Sequence, residues 1–157
     1  MTVEGDAVVL HTIGRVRGGR FEAVDDDWGS VEATIVLDGR FPADALAGLD
    51  SFSHVEVVFV FDQVDESNIH VGARRPRNNS QWPEIGIFAQ RAKARPNRIG
   101  LTTCEVVGVD GHQLRVRGLD AIDGSPVLDL KPYFVEFAPR ISVRQPRWAT
   151  ELMADYW

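Results

Sequence analysis

The chain has 157 residues and a mass of 17.5 kDa, with 44% hydrophobic and 25% charged residues, the size and composition of one globular domain (1–157) with its own core. No apolar run approaches the roughly 20 residues that a membrane-spanning helix needs, and Met1-Thr2-Val3-Glu4-Gly5-Asp6 lacks the basic start of a secretory leader, so the expectation is a cytoplasmic protein with no membrane segment. A net charge of −6 argues against nonspecific coating of nucleic acid, which rests on neutralising many phosphates; a single cysteine, Cys104, and the scattered His11, His54, His70 and His112 give neither an internal disulfide nor a zinc pattern, so no metal is expected.

Residues 7–16 and 31–37 are β-branched runs that predict two strands, separated by a loop holding Gly18-Gly19 and Asp25-Asp26-Asp27-Trp28-Gly29. Residues 42–49 predict a short helix or turn. The clearest strand is 55–61, too apolar to be half-exposed along its length and too β-branched to favour a helix. Residues 68–83 are polar and Pro-punctuated, a long loop of the kind that is commonly functional. Gly86-Ile87-Phe88-Ala89 predicts a strand, Pro96 a basic turn, and 101–109 another strand that Asp110-Gly111 folds back as a hairpin onto the alternating Leu114-Arg115-Val116-Arg117. A turn at 120–126, a short strand at 127–130 and a terminal helix at 148–157 complete the chain. The predicted fold class is all-β: a mainly antiparallel sheet closed into a small barrel, with short helices and a C-terminal helix. No G-x-G-x-x-G follows a strand, so a nucleotide-like ligand would be held by loops.

Seven of the seventeen basic residues, Arg74, Arg75, Arg77, Arg91, Lys93, Arg95 and Arg98, fall between positions 74 and 98. Alone, such a cluster reads as a solvated loop that offsets an acidic body; in the right context it is a face for a polyanion. The densest run of unusual residues, 86–101, overlaps it. Asp62-Gln63, the acidic turn at 120–124 and Lys131-Pro132-Tyr133 are the other loop-borne groups that can join a site.

The motifs Phe52-Ser53-His54, Gly86-Ile87-Phe88-Ala89-Gln90-Arg91, Arg95-Pro96-Asn97-x-Ile99-Gly100 and Asp120-x-x-Asp123-Gly124-Ser125-Pro126-Val127-x-Asp129-x-Lys131-Pro132-Tyr133 resemble, in order, those of the TrmO family, formerly called YaeB or TsaA-like. The resemblance implies a small, usually dimeric β-barrel that uses S-adenosylmethionine (SAM) to methylate N6 of a threonylcarbamoyl-modified adenosine beside the tRNA anticodon. By position it implies cofactor contacts from Asp62, Gln63, Arg91, Leu101, Asp120, Ala121, Ile122, Asp123 and Gly124, with the Asp27-Trp28 loop a lesser candidate; tRNA recognition would require the basic 74–98 segment to face that pocket. These residue types suit the ligand: Arg91 clamps a carboxylate, Asp120 and Asp123 accept from hydroxyls or an ammonium, and Leu101 and Ile122 pack on the adenine. Methyl transfer from a sulfonium needs alignment more than a nucleophile. The acceptor is expected to enter beside Lys131 and Tyr133; if a base takes part, Asp129 or Tyr133, near Lys131, are the candidates, and proton loss to water is the alternative.

Plainer readings stand beside these. Asp120, Asp123 and Gly124 also suit a tight turn, Arg91 an ion pair with Glu105 or an Asp, Lys131 and Tyr133 a strand end, His54 a hydrogen-bonded residue at the core edge, and Cys104 a small buried hydrophobe. The chain departs from the family in its Asp25-Asp26-Asp27-Trp28-Gly29 loop, in Asp62 where familiar members have histidine, and in the residues after Tyr133. A small-molecule or protein acceptor, and a noncatalytic SAM-binding module, are therefore the alternative functions.

Overall fold

The computed structural model describes residues 5–157; residues 1–4, on which part of the reading of the N-terminus falls, lie outside it. Among the described residues eight strands form: β1 (Gly14–Gly18), β2 (Glu32–Leu37), β3 (His54–Val60), β4 (Ala73–Arg74), β5 (Ile85–Gly86), β6 (Ile99–Asp110), β7 (Gln113–Arg117) and β8 (Pro126–Pro132). Six of them close into a barrel in the order β1-β2-β7-β6-β3-β8, every pair antiparallel, and β4 and β5 make a separate ribbon.

The barrel follows from period-two patterning. Val16, Ile35, Val55, Val57, Phe59, Leu114, Val116 and Val127 point inward and are fully buried, with Ala33, Leu37 and Cys104 filling the narrower levels. Leu119 and Ala121, just past β7, plug the same core. The β6–β7 hairpin turns through Gly111-His112 beyond the Asp110↔Gln113 pair, and Gly111 takes the positive φ of 57° that such a turn requires.

Four expectations are corrected. The strand expected over 7–16 begins only at Gly14; Val8, Val9 and Leu10 have no ladder partner and are exposed. Only Gly86 of Gly86-Ile87-Phe88-Ala89 is in a strand, because the chain tightens into a 3-10 turn over Ile87–Ala89 that buries Ile87. The strand expected over 55–61 does not run buried on both faces: a barrel strand has one inner face, so Glu56, Val58 and Val60 are partly exposed. The terminal helix is limited to α1 (Arg147–Leu152), which buries no side chain, so little holds it as a helix and the remaining residues turn back onto the barrel.

Cys104 is 2% exposed on the inner face of β6. Burial, with a smaller contribution from the charge of Asp120, pushes its thiol up to about 12 from 9.0. The group stays neutral in the fold, so its contribution to stability is complete below the unfolded value and is lost as pH rises from 9.0 toward about 12. Iodoacetamide at about pH 8 is expected to leave native Cys104 unmodified and to alkylate it fully in denaturant, read by intact mass; rapid labelling of the native protein would show that the residue is reachable.

Candidate functional site

One end of the barrel collects the chemistry. There β1, β3 and β7 finish and β2, β6 and β8 begin, so the 19–31 loop, the 61–98 segment and the 118–125 turn all emerge at the same rim. β6 pairs with β3 from Ile99 but with β7 only from Glu105 onward, so its first half has one edge without a strand partner. Arg91 and Asp120 meet the chain here.

The half-buried carboxylate of Asp120 accepts from the hydroxyl of Thr102, an inward-facing polar residue of β6, and from the phenol of Tyr156. Arg91 is exposed and donates to the carbonyl of Leu101; it makes no ion pair with Glu105, which joins Glu32 around Arg117. Leu101 itself faces outward and is 45% exposed. Asp62 and Gln63 follow β3 and are set by the neighbouring 3-10 turn Pro96–Arg98: Phe61 donates its N–H to the Arg98 carbonyl at 2.8 Å, and Arg98 returns a guanidinium bond to Val64 at 2.7 Å.

The rest of the acidic turn is tied to β1. Asp123 accepts the Gly18 N–H at 2.8 Å, Gly124 donates to the Val16 carbonyl at 2.7 Å with φ at +85°, and its own carbonyl takes Arg15 at 3.0 Å. Asp123 and Gly124 thus do the work of a turn, Ala121 is buried, and Ile122 receives the Ser125 hydroxyl on its carbonyl. Of this turn, Asp120 is the residue whose side chain points to the open β6 edge.

The basic segment is stitched into its own loops. Arg75 bonds the Trp82 carbonyl, Arg95 the Gln90 carbonyl, Arg98 the Val64 carbonyl, and Arg77 grips Asp26 through two bonds of 2.9 and 3.2 Å. Gln90, 6% exposed, pins both strands of the β4–β5 ribbon by donating to Arg74 and Ile85. A carbonyl satisfies a donor but cancels no charge; of these cations, Arg77 is the one with a carboxylate partner, so the segment remains electropositive.

Asp129, Lys131 and Tyr133 are placed differently. Asp129 and Lys131 pair at 2.9 Å on the outer face of β8, where Asp129 is in register with Val58 and Val58 with Leu101. That row spans two strand spacings, about 10 Å. Tyr133 follows β8 at the opposite rim, donating its N–H to the His54 carbonyl at 3.0 Å. Sequence reasoning missed Thr102, Gln90 and Tyr156; a polar residue in phase with Gly100 and Cys104 was a usable signal for Thr102, and nothing in the composition singles out Tyr156.

Residues 26–138, well over half of the chain, match the model of the tRNA-methyltransferase O N-terminal domain. The chain belongs to this family. Its tRNA-methyltransferase O relatives include a tRNA (adenine(37)-N6)-methyltransferase of Escherichia coli, 41% identical over 64% of this chain and 45% of that protein, and one of Homo sapiens, 38% identical over 67% and 23%. A probable S-adenosyl-L-methionine-binding protein of Methanothermobacter thermautotrophicus is 44% identical over 58% of this chain and 62% of its own. The chain thus spans less than half of the two methyltransferases it matches. A crystal structure of TrmO from Pseudomonas aeruginosa superposes with a TM-score of 0.73 at 28% identity, over 94% of this chain and 64% of that one. Tyr156 lies beyond the residues that the family domain matches.

Proposed function

We propose that the β6 edge and the loops around it hold SAM and that the protein N6-methylates a modified adenosine beside the tRNA anticodon. The observation that carries this is the convergence of Asp62, Gln63, Arg91, Leu101 and Asp120 at one rim of a barrel whose relatives are named as methyltransferases of adenine 37 in tRNA and as SAM-binding proteins.

The residues present fit that cofactor. A carboxylate offers about four lone-pair sites; Thr102 and Tyr156 use two on Asp120 and leave acceptors for ribose hydroxyls or an ammonium. Arg91 spends one donor on a neutral carbonyl, so its charge remains for a carboxylate. Leu101 supplies apolar surface beside it. When bound, SAM supplies an activated methyl group. The chain's own part is to orient: Leu101 stands in β6, Arg91 rests on its carbonyl, and Asp120 is held in the turn after β7 by Thr102 and Tyr156; alignment is the main demand of an in-line transfer. Asp129 and Lys131, held in their own ion pair on the outer face, and Tyr133, at the far rim, need no contact with the transferred group if the proton leaves to water.

The 74–98 segment is the proposed tRNA face. Its cations mostly rest on carbonyls, which leaves their charge for phosphates, and Phe88 within it is 75% exposed, an aromatic surface available for stacking on a base. The reading includes a homodimer, supported by the exposed apolar residues Val135, Phe137, Ile141 and Val143. Among the described residues no helix is long and apolar enough to cross a membrane. Cytoplasmic placement belongs to the same proposal.

The test is transfer of labelled methyl from SAM to total tRNA from cells lacking this gene, with mass analysis of the nucleosides. Label on an N6-modified adenosine supports the reading. Binding of SAM without transfer to tRNA would move the acceptor to a smaller molecule or a protein, or make the barrel a sensor.

A further inference from the structure

The segment 147–157 lies outside the residues matched by the family domain, yet it is anchored on the rim at several points. The indole N–H of Trp82 donates to Glu151 at 2.9 Å. The N–H groups of Asp27 and Trp28 donate to the carbonyls of Asp155 and Tyr156 at 2.9 and 2.8 Å. Gly29 presses so close that a Cβ there would stand 2.7 Å from the Trp157 carbonyl carbon. The receiving loop is itself firm: Trp28 is 3% exposed, its indole donates to Val24 at 3.2 Å, and the Arg20 guanidinium lies 4.6 Å from the ring centre.

This anchoring brings one side chain to the candidate site. The Tyr156 hydroxyl donates to one oxygen of Asp120 while Thr102, from the barrel side, donates to the other. Two donors from two separate elements fix both the position and the plane of the carboxylate. We infer that Tyr156 is a positioning residue: the tail delivers its hydroxyl to Asp120 so that the remaining lone pairs face the cofactor, and the tail closes that side of the pocket. The inference rests on the cofactor reading above. Burial, then the negative charge of Asp120, drive the phenol well above its ordinary range, so it remains a donor at any working pH. The Asp25-Asp26-Asp27-Trp28-Gly29 loop, which departs from the family pattern, thereby has a structural purpose as the tail's receptor.

The experiment is calorimetric SAM binding by the full chain and its Tyr156→Phe, Gly29→Ala, Asp120→Asn, Arg91→Ala and Tyr156→Phe/Asp120→Asn variants, with melting curves alongside. Tyr156→Phe removes one oxygen and none of the backbone anchors, so the affinity is expected to fall about five- to tenfold with the melting temperature within about 3 °C of the parent. Gly29→Ala, which displaces the tail without altering Asp120, Thr102 or Tyr156, is expected to give a similar loss. Because the hydroxyl acts through Asp120, Tyr156→Phe should add less than about twofold to the loss in Asp120→Asn. Full additivity would make Tyr156 merely structural, and unchanged affinity in Tyr156→Phe beside a weakened Asp120→Asn would overturn the inference and leave the site standing. Tighter binding would make the tail a plug, which also overturns it. If the parent bound no SAM, or Asp120→Asn and Arg91→Ala both bound it fully, the cofactor reading itself would fall.

Discussion

Gly100→Ala is expected to destabilise the barrel by about 3 kcal/mol, the upper part of the range for overpacking a closed core. Gly100 is the cross-strand partner of Phe59, and a Cβ on it would stand 2.4 Å from the tip of that ring and 2.7 Å from the two flanking atoms. Phe59 is fully buried and meets Phe61 edge to face with centroids 5.0 Å apart, so the ring has no free space to enter. Relief has to come from β6, which would shift the neighbouring Leu101 carbonyl on which Arg91 rests. For a domain of this length the melting temperature should drop by roughly 6–12 °C, and Phe59→Leu in the same chain should recover part of it by vacating the space. A Gly100→Ala protein that melts within about 2 °C of the parent would mean that the ring does not lie over the glycine.

That glycine shows what was legible in the sequence. It ends the motif Arg95-Pro96-Asn97-x-Ile99-Gly100, and its physical reason, room for a phenyl ring from the opposite strand, is invisible until β3 and β6 are paired. β2 and β3 declared themselves by β-branched composition and β7 by the alternation of Leu114-Arg115-Val116-Arg117; which residues of β2 and β3 face inward, Ala33-Ile35-Leu37 and Val55-Val57-Phe59, emerged only with the barrel. The hairpin was legible from Asp110-Gly111 and the alternation after it, with the turn itself one residue on, at Gly111-His112. The ends were not. Val8, Val9 and Leu10 have β-branched or apolar character but no partner strand, and the 148–157 run has helical composition but is recruited by the Asp27 and Trp28 amides into an irregular tail.

The site was legible in part for a similar reason. Motif positions singled out the loops at 62–63, 91 and 120–124 as candidates, and all of these reach one rim. They did not tell which side chains of a loop face the open edge. Asp120 and Asp123 have equal standing in the sequence, but Asp120 reaches Thr102 and Tyr156, while Asp123 caps the Gly18 amide. The basic segment illustrates the opposite limit: its composition announces a charged surface, whereas the bonds from Arg75, Arg95 and Arg98 to carbonyls also make those cations the pins of a long loop with little regular structure. Neutralising them would therefore loosen the loop as well as weaken any polyanion contact.

Arg91 separates binding from folding more cleanly, and Arg91→Ala is expected to weaken SAM binding by about 10- to 100-fold, the scale of a lost hydrogen bond to a charged group. Its guanidinium is exposed and, among the described residues, its one hydrogen-bond partner is the Leu101 carbonyl. That carbonyl lies at an edge where water can replace the lost donor, so the melting temperature of the free protein should change by no more than about 2 °C. Arg91→Lys keeps the charge but loses the planar fork that can hold a carbonyl and a carboxylate together; its affinity should lie between those of the parent and the alanine variant. Titration calorimetry with SAM and, separately, with S-adenosylhomocysteine reads both, and the two ligands share the carboxylate that Arg91 is proposed to hold. Equal losses for the two would fit a contact to that carboxylate. A loss confined to SAM would rule out the shared carboxylate as the group that Arg91 holds, and full affinity in a folded Arg91→Ala protein would remove it from the pocket.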